Sequence, residues 1–139
     1  MSFEELPHTA DIRIRARAPT LDALFSDVFD ALMQVMYGPA GVPDRNPVVE
    51  RNVELSSPDT ESLLTDFLSE VLFLSEVDGL VFSHAVITIT GLHLSAVLHG
   101  ESFNPKKHSG GTEVKGISYT GLAVQKDANG YMVDIVFDV

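Results

Sequence analysis

Three short charged stretches carry the residue types that could do chemistry. His8-Thr9-Ala10-Asp11 stands near the start of the chain, and Glu113-Val114-Lys115-Gly116-Ile117-Ser118-Tyr119 and Asp134-Ile135-Val136-Phe137-Asp138-Val139 stand near its end. Each flanks or ends an alternating, apolar segment of strand character, so folding could gather them into one acidic site. The chain has no cysteine, which removes disulfides, thiolate metal sites and a cysteine nucleophile. Any metal must then be held by oxygen or imidazole, which favours magnesium, calcium or manganese over structural zinc.

Taken singly, each residue has a plainer reading. Asp11 is a turn or capping aspartate, or a metal ligand; Asp138 is a solvated charge at a strand end, or a member of the same site. The sharper pair of readings requires the first and last strands to be neighbours. Two carboxylates a few ångströms apart repel, and a divalent cation between them removes that repulsion. The carboxyl group of Val139, one residue on, could supply another oxygen. Glu113 and Lys115 share a strand face by the period of two, either as an exposed ion pair or as a cation aimed at phosphate with an acid beside it.

Other candidates carry less. Arg13, Arg15 and Arg17 are three of only nine basic residues; such a row can bind phosphate or an acidic partner, but is more often a solvated face paired with acids. Asn104-Pro105-Lys106-Lys107-His108-Ser109-Gly110-Gly111 reads as the most flexible loop of the chain, and lacks the strand-loop-helix context and the ending of a P-loop. His84, His93 and His99 sit singly in strand contexts without zinc spacing. No serine lies in a nucleophile elbow.

The elements that must position these groups follow from periodicity. Ile12 to Ala18 alternates as a half-buried strand with its arginines outward. Thr20 caps a helix over Leu21 to Met36 that ends at Gly38-Pro39. Val48 to Leu55 is a strand. Ser57-Pro58 opens a second helix, with Leu63, Leu64, Phe67, Leu68, Val71, Leu72 and Leu74 inward, ending before Asp78-Gly79. Val81 to Thr90 and Leu92 to His99 form a hairpin. Strands Thr112 to Lys126 and Tyr131 to Val139 are joined at Asp127-Ala128-Asn129-Gly130. Extended along that last hairpin, the register sets Asp138 opposite Tyr119 or Thr120 and leaves Lys115 beyond the strand end. The expected fold is α+β, with mainly antiparallel sheets, two amphipathic helices packed on one side and a hint of internal repeat.

At 139 residues and 45% hydrophobic, the chain reads as one globular domain over 1–139. No apolar run approaches roughly 18 residues, so no membrane span is expected, and the acidic N-terminus lacks signal-peptide character, giving a cytoplasmic default. A net charge of -11 argues against stable direct nucleic-acid binding and suits cation recruitment or a basic partner.

In order and in register, His8-Thr9-Ala10-Asp11, the helical Leu63-Leu64-Thr65-Asp66-Phe67-Leu68-Ser69-Glu70-Val71-Leu72, the Glu113–Tyr119 stretch and the terminal Phe137-Asp138-Val139 resemble the archease family over nearly the whole chain. The resemblance implies a small cytoplasmic α+β protein that is not itself an enzyme. It would activate an RtcB-type RNA ligase in tRNA splicing and RNA repair, promoting guanylylation of the ligase, with GTP, and its multiple turnover. It further implies a divalent-metal site with Asp11 and Asp138 as ligands, and functional roles for Lys115 and Glu113, with His8 in the first motif. The histidine common after the family's third motif is Thr120 here, so Val139 or water takes that place in the ligand set. A stand-alone metal-dependent phosphohydrolase and a general chaperone or adaptor are the alternatives.

Overall fold

The computed structural model describes residues 3–6, 11–39, 48–119 and 121–139, and for Glu5 and Leu6 the backbone alone. His8 and Thr120 lie outside these residues. The first strands are β1 (Phe3–Leu6) and β2 (Asp11–Ala18), followed by helix α1 (Leu21–Tyr37) and strand β3 (Val49–Ser56). Helix α2 (Thr60–Val77) leads to the hairpin β4 (Leu80–Thr90) and β5 (His93–Ser102). A single helical turn, α3 (Pro105–His108), precedes β6 (Gly116–Ser118), β7 (Val124–Asp127) and β8 (Gly130–Asp138).

The strands form two antiparallel sheets. One has the order β1-β2-β8-β6 with β7 also on β8; the other has the order β3-β5-β4. Helix α1 touches β2 and β8 of the first sheet and β4 of the second, while α2 touches β3 and β4 and, across the layer, β6. Each sheet therefore turns one face to the helices and one outward, the arrangement its alternating strands require. Inward-facing Ile14, Ala16, Val133, Ile135 and Phe137 meet the buried Leu24, Phe25, Val28 and Phe29 of α1. The two helices and β4 share an aromatic cluster. Phe67 of α2 lies 6.4 Å from Phe25 and 6.3 Å from Phe29, and Phe29 lies 6.5 Å from Phe82. Among the described residues no helix is long and apolar enough to cross a membrane.

Helix α1 starts and stops as its sequence dictates. The Thr20 side chain accepts from the Ala23 amide, and Gly38, at φ 77°, closes the end by donating to the Gln34 carbonyl. The start of α2 differs from the expected Ser57 cap. Asp59 takes that position and its Oδ1 accepts from the Ser62 amide at 2.7 Å, while Ser57 donates to Asp66. A carboxylate answers the exposed amides and the positive end of the helix better than a hydroxyl does.

Three further expectations are corrected. The stretch read as the most flexible loop holds α3, capped by Asn104, with His108 buried. Its glycines allow close approach: a side chain on Gly111 would lie 2.2 Å from the Met36 backbone, and the neighbouring Thr112 amide donates to the Val35 carbonyl at 2.8 Å. The single strand expected over 112–126 is broken. Residues 112–115 are irregular, and β6 and β7 are separated by a turn in which Gly121 has φ 70°. Nor are the histidines all solitary. His84 and His99 face each other across β4 and β5 with stacked rings 4.6 Å apart.

Candidate metal centre

Strand β2 runs antiparallel beside β8, and the register pairs Asp11 directly with Asp138. Paired residues in an antiparallel ladder project to the same face, so these two carboxylates stand together on the outward face at the sheet end. Asp11 is half-buried and Asp138 exposed. Both ends of the chain reach this point because Ile12, Ile14, Ala16 and Ala18 pair with Phe137, Ile135, Val133 and Tyr131. A slip of one residue would turn that apolar row into solvent.

On the other edge of β8 the register departs from extrapolation. Next to the turn, Val124 pairs with Val133 as the hairpin rule requires, but Asp138 pairs with Gly116 and not with Tyr119 or Thr120. The turn at Gly121 removes residues from the ladder and draws the preceding segment along β8. The Lys115 amide consequently donates to the Asp138 carbonyl at 2.7 Å. Gly116 leaves space beside the carboxylate: a side chain begun there would start 3.7 Å from Asp138 Oδ2.

The first turn of α2 pins both sides of this break. Tyr119 hydroxyl pairs with the Ser62 hydroxyl and donates to Asp59 Oδ1 at 3.3 Å, while Glu61 Oε2 accepts from the Val124 amide at 2.8 Å. These contacts hold the Asp59 carboxyl below its ordinary range, chiefly through the Ser62 hydrogen bonds. Sequence reasoning missed the clamp. The signal available to it was Asp59 three residues ahead of Ser62, the spacing of a cap.

Glu113 and Lys115 are exposed on either side of buried Val114, so the expected alternation holds outside a regular strand, and no ion pair joins the two. Val139 is half-buried, one residue beyond Asp138. Among the described residues, no group of three or more histidine, aspartate and glutamate side chains is gathered for a metal. The oxygen donors that the register brings together here are the carboxylates of Asp11 and Asp138. That fits an oxygen-seeking divalent ion that keeps several waters, as magnesium does when one or two carboxylates hold it. It does not fit a closed structural zinc site.

Arg15 grips Asp134 through two hydrogen bonds, Nε to Oδ1 at 2.8 Å and the terminal nitrogen to Oδ2 at 3.0 Å, and Arg13 lies 3.8 Å away. The Arg15 bond, ahead of the charges of Arg15, Arg13 and Arg17, holds the Asp134 carboxyl below the usual range against the opposing effect of burial.

Fold and site together define a two-sheet α+β protein with a carboxylate pair where its first and last strands meet. The model of the archease protein family matches residues 3–139, and this chain belongs to that family. It is 36% identical to the protein archease of Methanosarcina mazei over 142 residues, covering 99% of this chain and 95% of the relative. The solution structure of protein 1598 from Methanobacterium thermoautotrophicum superposes with a TM-score of 0.78 at 26% identity, covering 99% of each chain. A crystal structure from Thermotoga maritima, described as an archease and possible chaperone, shares the fold with a TM-score of 0.64 at 19% identity, covering 98% of this chain and 96% of that one.

Proposed function

We propose that this chain is a non-catalytic activator of an RtcB-type RNA ligase in tRNA splicing and RNA repair, acting in the cytoplasm through a divalent ion held by Asp11 and Asp138. One observation carries the reading above the others: the two aspartates are direct partners across β2 and β8, on an accessible sheet end. Oxygen donors of this kind suit calcium, magnesium or manganese. A bound ion would supply charge neutralisation for phosphoryl groups without any protein nucleophile.

The remaining assignments follow from position. Asp11 and Asp138 bind and orient, with Val139 or water completing the oxygen set. Lys115, exposed and tied by its backbone to Asp138, brings a cation to the same sheet end, where triphosphate or pyrophosphate charge is to be steadied. Exposed Glu113 joins Lys115 in the partner-facing set, and His8 is added to it by the family motif alone. GTP belongs to the ligase. Membership of the archease family supports the reading, as does the lack of any nucleophile elbow in the sequence.

The test is guanylylation of the cognate ligase at limiting manganese, with wild-type protein and with Asp138→Asn and Asp11→Asn variants. Stimulation by wild type alone is expected. Equal stimulation by the variants removes the metal reading, and hydrolysis of nucleotide by the protein without ligase would make it a phosphohydrolase.

A further inference from the structure

Among the described residues, α1 and α2 lie against the inner face of the first sheet and leave its outward face open. Its registers set three rows side by side. In the central row Glu4, Arg15 and Asp134 are neighbours on β1, β2 and β8, so the middle guanidinium is matched by acids on both flanks. The rows on either side differ. Arg13 stands opposite Val136, with Ser118 beyond it on β6. Arg17 stands opposite Met132, with Gln125 beyond it on β7. Arg17 is exposed, and Arg13 keeps its side chain 40% exposed although it lies 3.8 Å from Asp134.

We propose that this face docks a carboxylate-bearing patch of the partner protein, with Arg13 and Arg17 as the two reading cations and the Arg15–Asp134 pair as the fixed element between them. Charge complementarity selects the occupant. The chain carries -11 overall with nine basic residues, so an acidic surface is repelled almost everywhere else, and three of those nine stand here. Half-buried Val136 and Met132 lie beside the arginines, and arginine and methionine are residue types enriched at protein interfaces. Arg17 lies four residue steps along the strand from Arg13, so the carboxylates they meet stand roughly 13 Å apart. A phosphate backbone fits less well: Glu4, Asp134, Asp11 and Asp138 share the face, and two cations release few counterions. Because β2 passes from Arg13 to Asp11 in a two-residue step, a partner seated here lies against the carboxylate pair.

The inference rests on the proposed ligase partnership, and its test separates the two. Affinity for the cognate RtcB-type ligase is measured by fluorescence anisotropy from low to high salt, with folding of each variant checked by circular dichroism. Arg13→Glu with Arg17→Glu is expected to weaken binding about tenfold at low salt and to flatten its salt dependence. Lys106→Glu with Lys107→Glu, the same change of charge on α3, is expected to leave affinity near wild type. Asp11→Asn with Asp138→Asn keeps both arginines and removes two acids from the face, so it is expected to bind at least as tightly as wild type while losing stimulation; stimulation kept by that variant removes the metal reading and leaves the docking face standing. Unchanged affinity in the arginine variant, or equal weakening by the α3 variant, overturns the docking face. So does loss of single-stranded RNA binding, but not ligase binding, in the arginine variant. If wild type forms no complex with the ligase, both readings fall.

Discussion

The Lys115 amide donates to the carbonyl of Asp138 at 2.7 Å, a contact that the hairpin next to it, continued in register, would forbid. It exists because the ladder is cut between β6 and β7 and both sides of the cut are held by the first turn of α2. The helix that caps itself with Asp59 thereby also fixes which residues lie beside the carboxylate pair.

Loosening that clamp is expected to act at a distance. Glu61→Ala removes the acceptor of the Val124 amide, and Tyr119→Phe removes the hydroxyl that meets Ser62 and Asp59. Glu61→Ala is expected to cost about 1 kcal/mol of stability, the net worth of one hydrogen bond, and Tyr119→Phe, which loses two contacts on an exposed surface, about the same. Hydrogen exchange at the Lys115 amide should rise in both variants more than exchange in β5. Unchanged protection of that amide would show that the slip is held by β8 alone.

The Arg15–Asp134 pair gives a titration with a defined sign. Its hydrogen bonds depress the Asp134 carboxyl in the folded state, so the stability it contributes is present above the carboxyl's unfolded pKa. That contribution is lost as pH falls through the folded value. In Arg15→Gln the carboxyl should titrate at higher pH than in wild type, read from its side-chain carbon shift. Coincident curves would mean the guanidinium does not hold the charge in solution.

Much of the fold was legible because its signals are local. The alternation of Ile12 to Ala18 and Thr20 ahead of α1 each need only neighbouring residues to be read, and so does the turn at Asp127–Gly130. The pairing of Asp11 with Asp138 was readable as a requirement, since two carboxylates near the chain ends make a site only if the end strands meet. The slip that brings Gly116 to Asp138 was not legible, because the hydrogen bonds that fix it come from Asp59, Ser62 and Glu61 on a distant helix. The buried turn around His108 was hidden for a related reason. Glycines that signal freedom in a sequence here permit a close contact with the end of α1.

His108 should make the protein less stable in mild acid. Its imidazole is buried beside Tyr37 and Phe103, with Nδ1 accepting from the Asn104 amide at 2.7 Å. Burial lowers its pKa, and the nearby Glu101 charge only partly opposes this. The unfolded chain therefore binds the proton first, and stability falls as pH drops from the ordinary histidine value towards the depressed one. Thermal melts between neutral and mildly acidic pH should show this loss, and His108→Gln should shallow the slope. An equally steep slope in the variant would show that His108 is not its source.

The carboxylate pair predicts opposite signs with and without metal. Without a divalent ion, Asp11 and Asp138 are like charges facing each other across a ladder, which is destabilising by a few tenths of a kcal/mol or more. Asp138→Asn should therefore melt slightly higher than wild type in chelator. With manganese or magnesium at about a hundredfold excess over its dissociation constant, wild type should gain about 2.7 kcal/mol by linkage, and the variant should gain far less. The two melting curves should cross in order as metal is added, a reversal that a solvated, non-binding pair cannot produce. If metal raises the two proteins equally, Asp138 is not a ligand, and the same comparison with Asp11→Asn decides whether the pair binds at all.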